Sequence, residues 1–222
     1  MPRIRLIMLA ALAVFAVSAV ASASASATTL GWDVNGAELL GNEPISEVPI
    51  VAPNDFTLRG AGIEISCSEV VVKGGLIEPN SNSAKALLFK DTVNDEGVTK
   101  EPCDVTNAEN CEVVEPIETH EISSTPESGP PVRVKFKPKV AGPFITLTLK
   151  SKAGHTCLQA KKYEVTGTVT CNVHNGETEE VTKTLECTAT SGSEIKVAGE
   201  AGEFIGEAGV KLTSGAKFAP SA

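Results

Sequence analysis

The sequence predicts an antiparallel, all-β fold: a disulfide-stapled β-sandwich, immunoglobulin-like or larger. Three observations carry that prediction. Apolar and polar residues alternate with period two over strand-length runs, which sets one face of each strand toward a core and the other toward water. Turn-forming residues cut these runs into pieces. Six cysteines occur in a chain that opens like an export leader, which points to disulfides rather than zinc or redox chemistry.

Taken in order, the leader comes first. Arg3 and Arg5 precede an apolar run from Leu6 to Ala21, and A-x-A triplets follow as far as Ala27. Residues 1–27 are expected to leave as a signal peptide, so that residues 28–222 carry no transmembrane anchor and are secreted or held at the cell envelope. The full chain has 19 basic and 28 acidic residues; losing Arg3 and Arg5 takes the net charge from −9 to −11. Nucleic acid and anionic membrane surfaces would repel such a chain.

GWDVNG starts the exported region. Its Trp32 is the single tryptophan of the chain. It reads as a core plug for the first strand, with a sugar-stacking platform as the functional alternative. Asn35-Gly36, Gly74-Gly75 and the Asn80–Asn82 stretch are turn signals. Ser83 to Lys90 (SAKALLFK) suits either a short helical turn or a strand. The alternation is clearest after residue 131: Val132, Val134, Phe136 and Val140; Ile145, Leu147 and Leu149; Tyr163, Val165, Val169, Cys171 and Val173; then Val181, Leu185, Cys187 and Ala189. Asn175-Gly176 between the last two runs suggests a hairpin. The composition shifts once, at SSTPESGPP (123–131), which has three prolines and no apolar periodicity. It divides the region into 28–122 and 132–222, read as two tightly docked sandwiches or as one larger sandwich with a long loop.

Three cysteines precede that segment (Cys67, Cys103, Cys111) and three follow it (Cys157, Cys171, Cys187). If all six pair within the chain, an odd number of bridges must join the two halves. The preferred pairing is Cys103–Cys111 and Cys171–Cys187, leaving Cys67–Cys157 as the cross-link. In that scheme CDVTNAENC is a closed surface loop displaying Asp104, Thr106, Asn107, Glu109 and Asn110 as a contact surface.

No cofactor, metal or catalytic residue is expected. The sequence has no C-x-x-C, no H-x₃₋₅-H pair and no G-x-S-x-G elbow. DTVNDEG (91–97) departs from a calcium loop, because Val93 stands where a ligand is needed and the glycine falls one place late. Glu118 and His120 would share one side of a strand, which could seed a carboxylate–imidazole pair, though exposed polar residues on a strand are the simpler account.

The phrases ISC, GGLIEP, LLFKD, CDV and CEVVEPIET together resemble a group of exported proteins of unknown function from high-GC Gram-positive soil bacteria. The resemblance rests on the Trp-containing start, the I-x-C strand, the paired-cysteine segment ending at Pro116 to Thr119, and the β-rich second half. It implies export and a β fold and carries no catalytic residue. The functional expectation is a non-enzymatic binding or structural module, meeting a cell-wall or extracellular glycan or a protein. The alternative is a small secreted hydrolase acting on polysaccharide through paired carboxylates.

Overall fold

In the computed structural model the described residues are 30–48, 56–90, 103–114, 116–188 and 191–221. The expected leader at 1–27 and the DTVNDEG stretch lie outside them. Every regular element described is a strand, so SAKALLFK resolves into the end of one strand and the whole of the next. The first nine are β1 (Trp32–Val34), β2 (Ala37–Glu38), β3 (Glu43–Val48), β4 (Phe56–Gly60), β5 (Ile63–Cys67), β6 (Glu69–Lys73), β7 (Gly75–Glu78), β8 (Ser81–Ala84) and β9 (Ala86–Lys90). Three short ones follow: β10 (Asp104–Val105), β11 (Cys111–Val113) and β12 (Ile117–Glu118). The strongly alternating half forms β13 (Ile122–Glu127), β14 (Arg133–Pro138), β15 (Ile145–Ser151), β16 (Lys162–Val173), β17 (Thr182–Cys187), β18 (Glu194–Val197), β19 (Glu200–Leu212) and β20 (Phe218–Pro220).

Eight of these strands close on themselves. Antiparallel pairing runs from β19 through β3, β7, β8, β13, β14, β16 and β17 and returns to β19. A closed ring leaves no sheet edge to solvent. The immunoglobulin-like sandwich expected from the sequence is therefore replaced by a barrel with additional sheets. Period-two alternation reports that one strand face is buried, and it reads alike in a sandwich and in a barrel. SSTPESGPP is no linker between units: it supplies most of β13 and the turn into β14, and β13 pairs with strands from both halves.

The two longest strands serve two sheets each. The C-terminal parts of β16 and β19 belong to the barrel, while their N-terminal parts join β18, β4, β5, β10, β15 and β11 in a second sheet. Both crossover points carry glycine. At Gly167 (φ +106°) β18 approaches so closely that an added Cβ would lie 1.7 Å from the Glu194 carbonyl oxygen. At Gly206 the ring of Phe56 takes the space a side chain would fill. A third sheet, β12-β9-β6, brings Phe89 and Ile117 onto the apolar face of the second, and together they enclose the larger hydrophobic cluster. The smaller cluster fills one end of the barrel, where the sheet β2-β1-β20 closes it with Trp32 against Phe218, ring centroids 5.9 Å apart.

The disulfides are Cys67–Cys103, Cys111–Cys157 and Cys171–Cys187, with Cα separations of 4.6, 4.9 and 4.1 Å. The expected Cys103–Cys111 and Cys67–Cys157 pairs do not form, and the register explains why. β10 lies beside β5 with Asp104 opposite Ser66, which brings Cys103 to Cys67. Cys111 starts β11, which pairs with β15 opposite Ser151; Ser151 Oγ in turn accepts the Cys157 amide (3.0 Å). The two cysteines of CDVTNAENC thus face different neighbours. The loop is tied down at each end instead of being closed on itself. Cys111–Cys157 is the one bridge joining the chain before residue 123 to the chain after residue 131.

Candidate functional site

The residues singled out from the sequence are placed apart. Asp104, Thr106, Asn107, Glu109 and Asn110 are all exposed around the turn between β10 and β11, with Ala108 buried beneath them. Backbone and side-chain bonds hold that turn: the Thr106 amide donates to the Glu64 carbonyl, Asn107 Nδ2 to the Glu64 carboxylate (3.3 Å), and the Lys152 amide to the Asn110 carbonyl (2.8 Å). Glu118 and His120 do not form the pair their spacing allowed. Glu118 bonds Lys73 Nζ at 3.1 Å, whereas His120 Nε2 lies 3.4 Å from Thr146 Oγ1. His174 pairs with Glu186 at 3.2 Å on the surface, away from both. Among the described residues, no group of three or more His, Cys, Asp and Glu side chains is placed to hold a metal ion.

What the fold brings together is the inside of the barrel. Small residues face inward at Ala84, Gly206 and Ala208, and the Cys171–Cys187 bridge spans neighbouring strands, so the interior does not fill. A cavity of about 110 Å³ remains between the two hydrophobic clusters. One end is walled by Phe56, Phe89, Phe144 and Phe204, of which Phe56, Phe89 and Phe204 form a cluster with centroids 5.7 to 6.3 Å apart. Trp32, Asn82, Ser83, Ser124 and Lys183 also belong to the lining, but they turn almost no polar surface to the cavity, whose wall is apolar nearly throughout. Trp32 is 3% exposed, which excludes it as a surface platform for sugars.

These polar residues belong to one region because the strands deliver them there. The Trp32 amide donates to the Pro79 carbonyl in the turn that leads into β8, and Asn82 is the second residue of β8. Ser124 on β13 stands opposite Asn82, and Asn82 Nδ2 donates to its Oγ at 3.0 Å. Among the described residues three buried side-chain polar atoms have no protein partner: Trp32 Nε1, a donor, Asn82 Oδ1, an acceptor, and Thr168 Oγ1 on β16. Burying such a group unbonded costs free energy, and each is therefore a marker worth following.

Lys183 is the inward residue the alternation concealed. It shares the parity of Leu185 and Cys187 in VTKTLEC and is only 1% exposed. Its Nζ donates to the carbonyls of Gly176 (3.1 Å) and Thr178 in the loop that follows β16. Burial pushes its pKa below the ordinary lysine value of 10.5, with Glu180 and Glu179 pulling weakly the other way. A lowered folded value means that the unfolded chain binds more protons between that value and 10.5, so this residue's contribution to stability rises with pH across that window. Denaturant melts of the wild type and Lys183→Met at increasing pH are expected to move in the wild type's favour as pH approaches 10.5. Tyr163, whose phenol burial pushes upward, is common to both proteins and cancels. A difference that stays flat with pH would refute the desolvated ammonium.

Asn82 and Ser124 gave no readable signal either, because NSNS (80–83) has no apolar partner to reveal its parity and Ser124 sits in the stretch that reads as a linker. No protein-family model, curated protein or solved structure matches the chain.

Proposed function

We propose that this is an exported, non-catalytic binding protein whose barrel holds a small, largely apolar molecule. The observation that carries the reading is the interior cavity, whose surface is apolar almost throughout. Eight-stranded barrels are the size at which the interior either fills with side chains or holds one small ligand. A volume of about 110 Å³ is comparable to the engineered core cavity of ~150 Å³ that admits benzene. The lining contains no Asp or Glu, so the carboxylate pair a glycosidase needs is not offered by this cavity. Three disulfides suit the oxidising compartment to which the leader-like start would send the chain.

The test uses the tryptophan that the protein already provides. Because Trp32 is the single tryptophan and lines the cavity, its emission reports on that site alone. Titration with benzene or methylcyclopentane is expected to shift or quench the emission saturably and to raise the melting temperature with ligand concentration. Ala208→Leu, which fills space from β19, is expected to abolish the response while leaving the fold intact. An unresponsive Trp32 and an unchanged melting temperature across such probes would remove the proposal.

A further inference from the structure

Resting on the cavity reading, we infer that Phe56, Phe89 and Phe204 set the size of the ligand: a single-ring hydrocarbon with at most a short substituent, stopped at one end by a partition made of these three side chains. Behind the partition lies a second, smaller cavity of about 20 Å³, whose other lining residues are Leu58, Ile65, Cys67, Ile117 and Ile145. The three phenylalanines are the residues common to the linings of both cavities. Side chains that face two neighbouring voids stand between them, so these rings divide the interior at this point.

The partition is built where two sheets meet. Phe56 on β4 and Phe204 on β19 come from neighbouring strands of the second sheet, since Phe204 stands opposite Leu58, two residues beyond Phe56. Phe89 comes from β9 of the third sheet. Its ring meets both others edge to face, with centroids 5.7 Å from Phe56 and 5.8 Å from Phe204 and interplanar angles of 66° and 73°. Such contacts are favourable beyond the area they bury, which holds the three rings together across the gap. Phe56 is seated on Gly206, where an added Cβ would lie 2.4 Å from its ring. The chemistry on the two sides is alike: the main cavity has an almost wholly apolar surface, and the lining of the smaller one contains no charged residue and no hydroxyl. Space, and not polarity, is therefore what stops a hydrocarbon chain at the phenylalanines.

The probes are benzene, toluene and n-butylbenzene, titrated into the protein with its disulfides intact and read by calorimetry and melting temperature. The wild type is expected to bind n-butylbenzene about tenfold more weakly than toluene, because a chain that does not fit must displace packed side chains. Phe89→Ala opens the partition and is expected to reverse that order, with n-butylbenzene about tenfold tighter than toluene as the added methylenes become buried. Should Phe89→Ala fail to fold, Phe204→Leu thins the same partition and is expected to move the limit in the same direction. Val134→Ala is the control. It enlarges the main cavity from β14, in the other hydrophobic cluster, and is expected to leave n-butylbenzene the weaker ligand. A wild type that binds n-butylbenzene as tightly as toluene would overturn the size limit and leave the cavity reading standing. So would a partition variant that keeps the wild-type order, or a Val134→Ala protein that reverses it as fully. No binding of any probe to the wild type would remove both readings.

Discussion

Replacing Gly167 with alanine is expected to cost about 3 to 5 kcal/mol, the sum of backbone strain at a positive φ and of a clash with the backbone of the neighbouring strand. The residue sits where β16 passes from the second sheet into the barrel, with φ +106°, a conformation that a side chain disfavours. The new Cβ would fall 1.7 Å from the Glu194 carbonyl oxygen and 2.9 Å from its carbon, so β18 would have to leave β16 locally. Backbone is the obstacle there, and it cannot rotate aside. Gly206, at the matching point of β19, provides the control. Its added methyl would meet the ring of Phe56, a side chain that can shift, and Gly206→Ala is expected to cost less, about 1 to 2 kcal/mol. Urea denaturation of both variants measures the two losses. A Gly167→Ala protein within 1 kcal/mol of wild type, or less affected than Gly206→Ala, would show that β18 does not lie as close as described. Against a net stability of roughly 5 to 15 kcal/mol for a typical domain, the larger loss is serious.

Removing the Cys111–Cys157 bridge with a double alanine variant is expected to cost about 4 kcal/mol in the chain-entropy treatment, because it closes a loop with a sequence separation of 46. Cys171–Cys187, with a separation of 16, is expected to cost about 3 kcal/mol on the same treatment. The longer bridge carries a second burden. It ties the edge strand β11, and through the adjoining turn β10, to the segment that follows β15, so its loss frees the exposed turn at residues 106–110 at one end. Paired denaturation curves test the order of the two losses, and non-reducing peptide mapping tests the pairing itself. Recovery of Cys103 joined to Cys111 would contradict the β10 and β11 registers together. A double variant as stable as wild type would mean that the sheet edges hold without the bridge.

Both expectations bear on the proposed ligand. Cys171 on β16 and Cys187 on β17 line the cavity, so loss of their bridge is expected to alter the cavity along with stability. Cys111–Cys157 is remote from it. Ligand-induced stabilisation should therefore survive loss of that bridge, even at a lower melting temperature.

Local chemistry was readable along the chain. FITLTLK and YEVTGTVTCNV show their buried faces directly, since a strand's side chains alternate by covalent geometry and need no knowledge of their neighbours, whereas in VTKTLEC the buried face starts with Lys183 and Val181 is exposed. Asn35-Gly36 and Asn175-Gly176 adopt the positive φ values that make such pairs turn formers. The all-β class follows from these features alone. Which strands meet was decided elsewhere. Barrel closure, the route of β16 and β19 through two sheets, and the separate partners of Cys103 and Cys111 depend on contacts between segments distant in sequence, and alternation does not encode register between them. The cavity is a still more collective property. It exists because Ala84, Gly206 and Ala208 happen to face the same interior, and its lining is assembled from strands far apart in the chain, Trp32, Asn82, Ser124 and Lys183 among them. Each of these residues is unremarkable in its own stretch of chain; only packing, which acts on proximity rather than on sequence order, makes them one site.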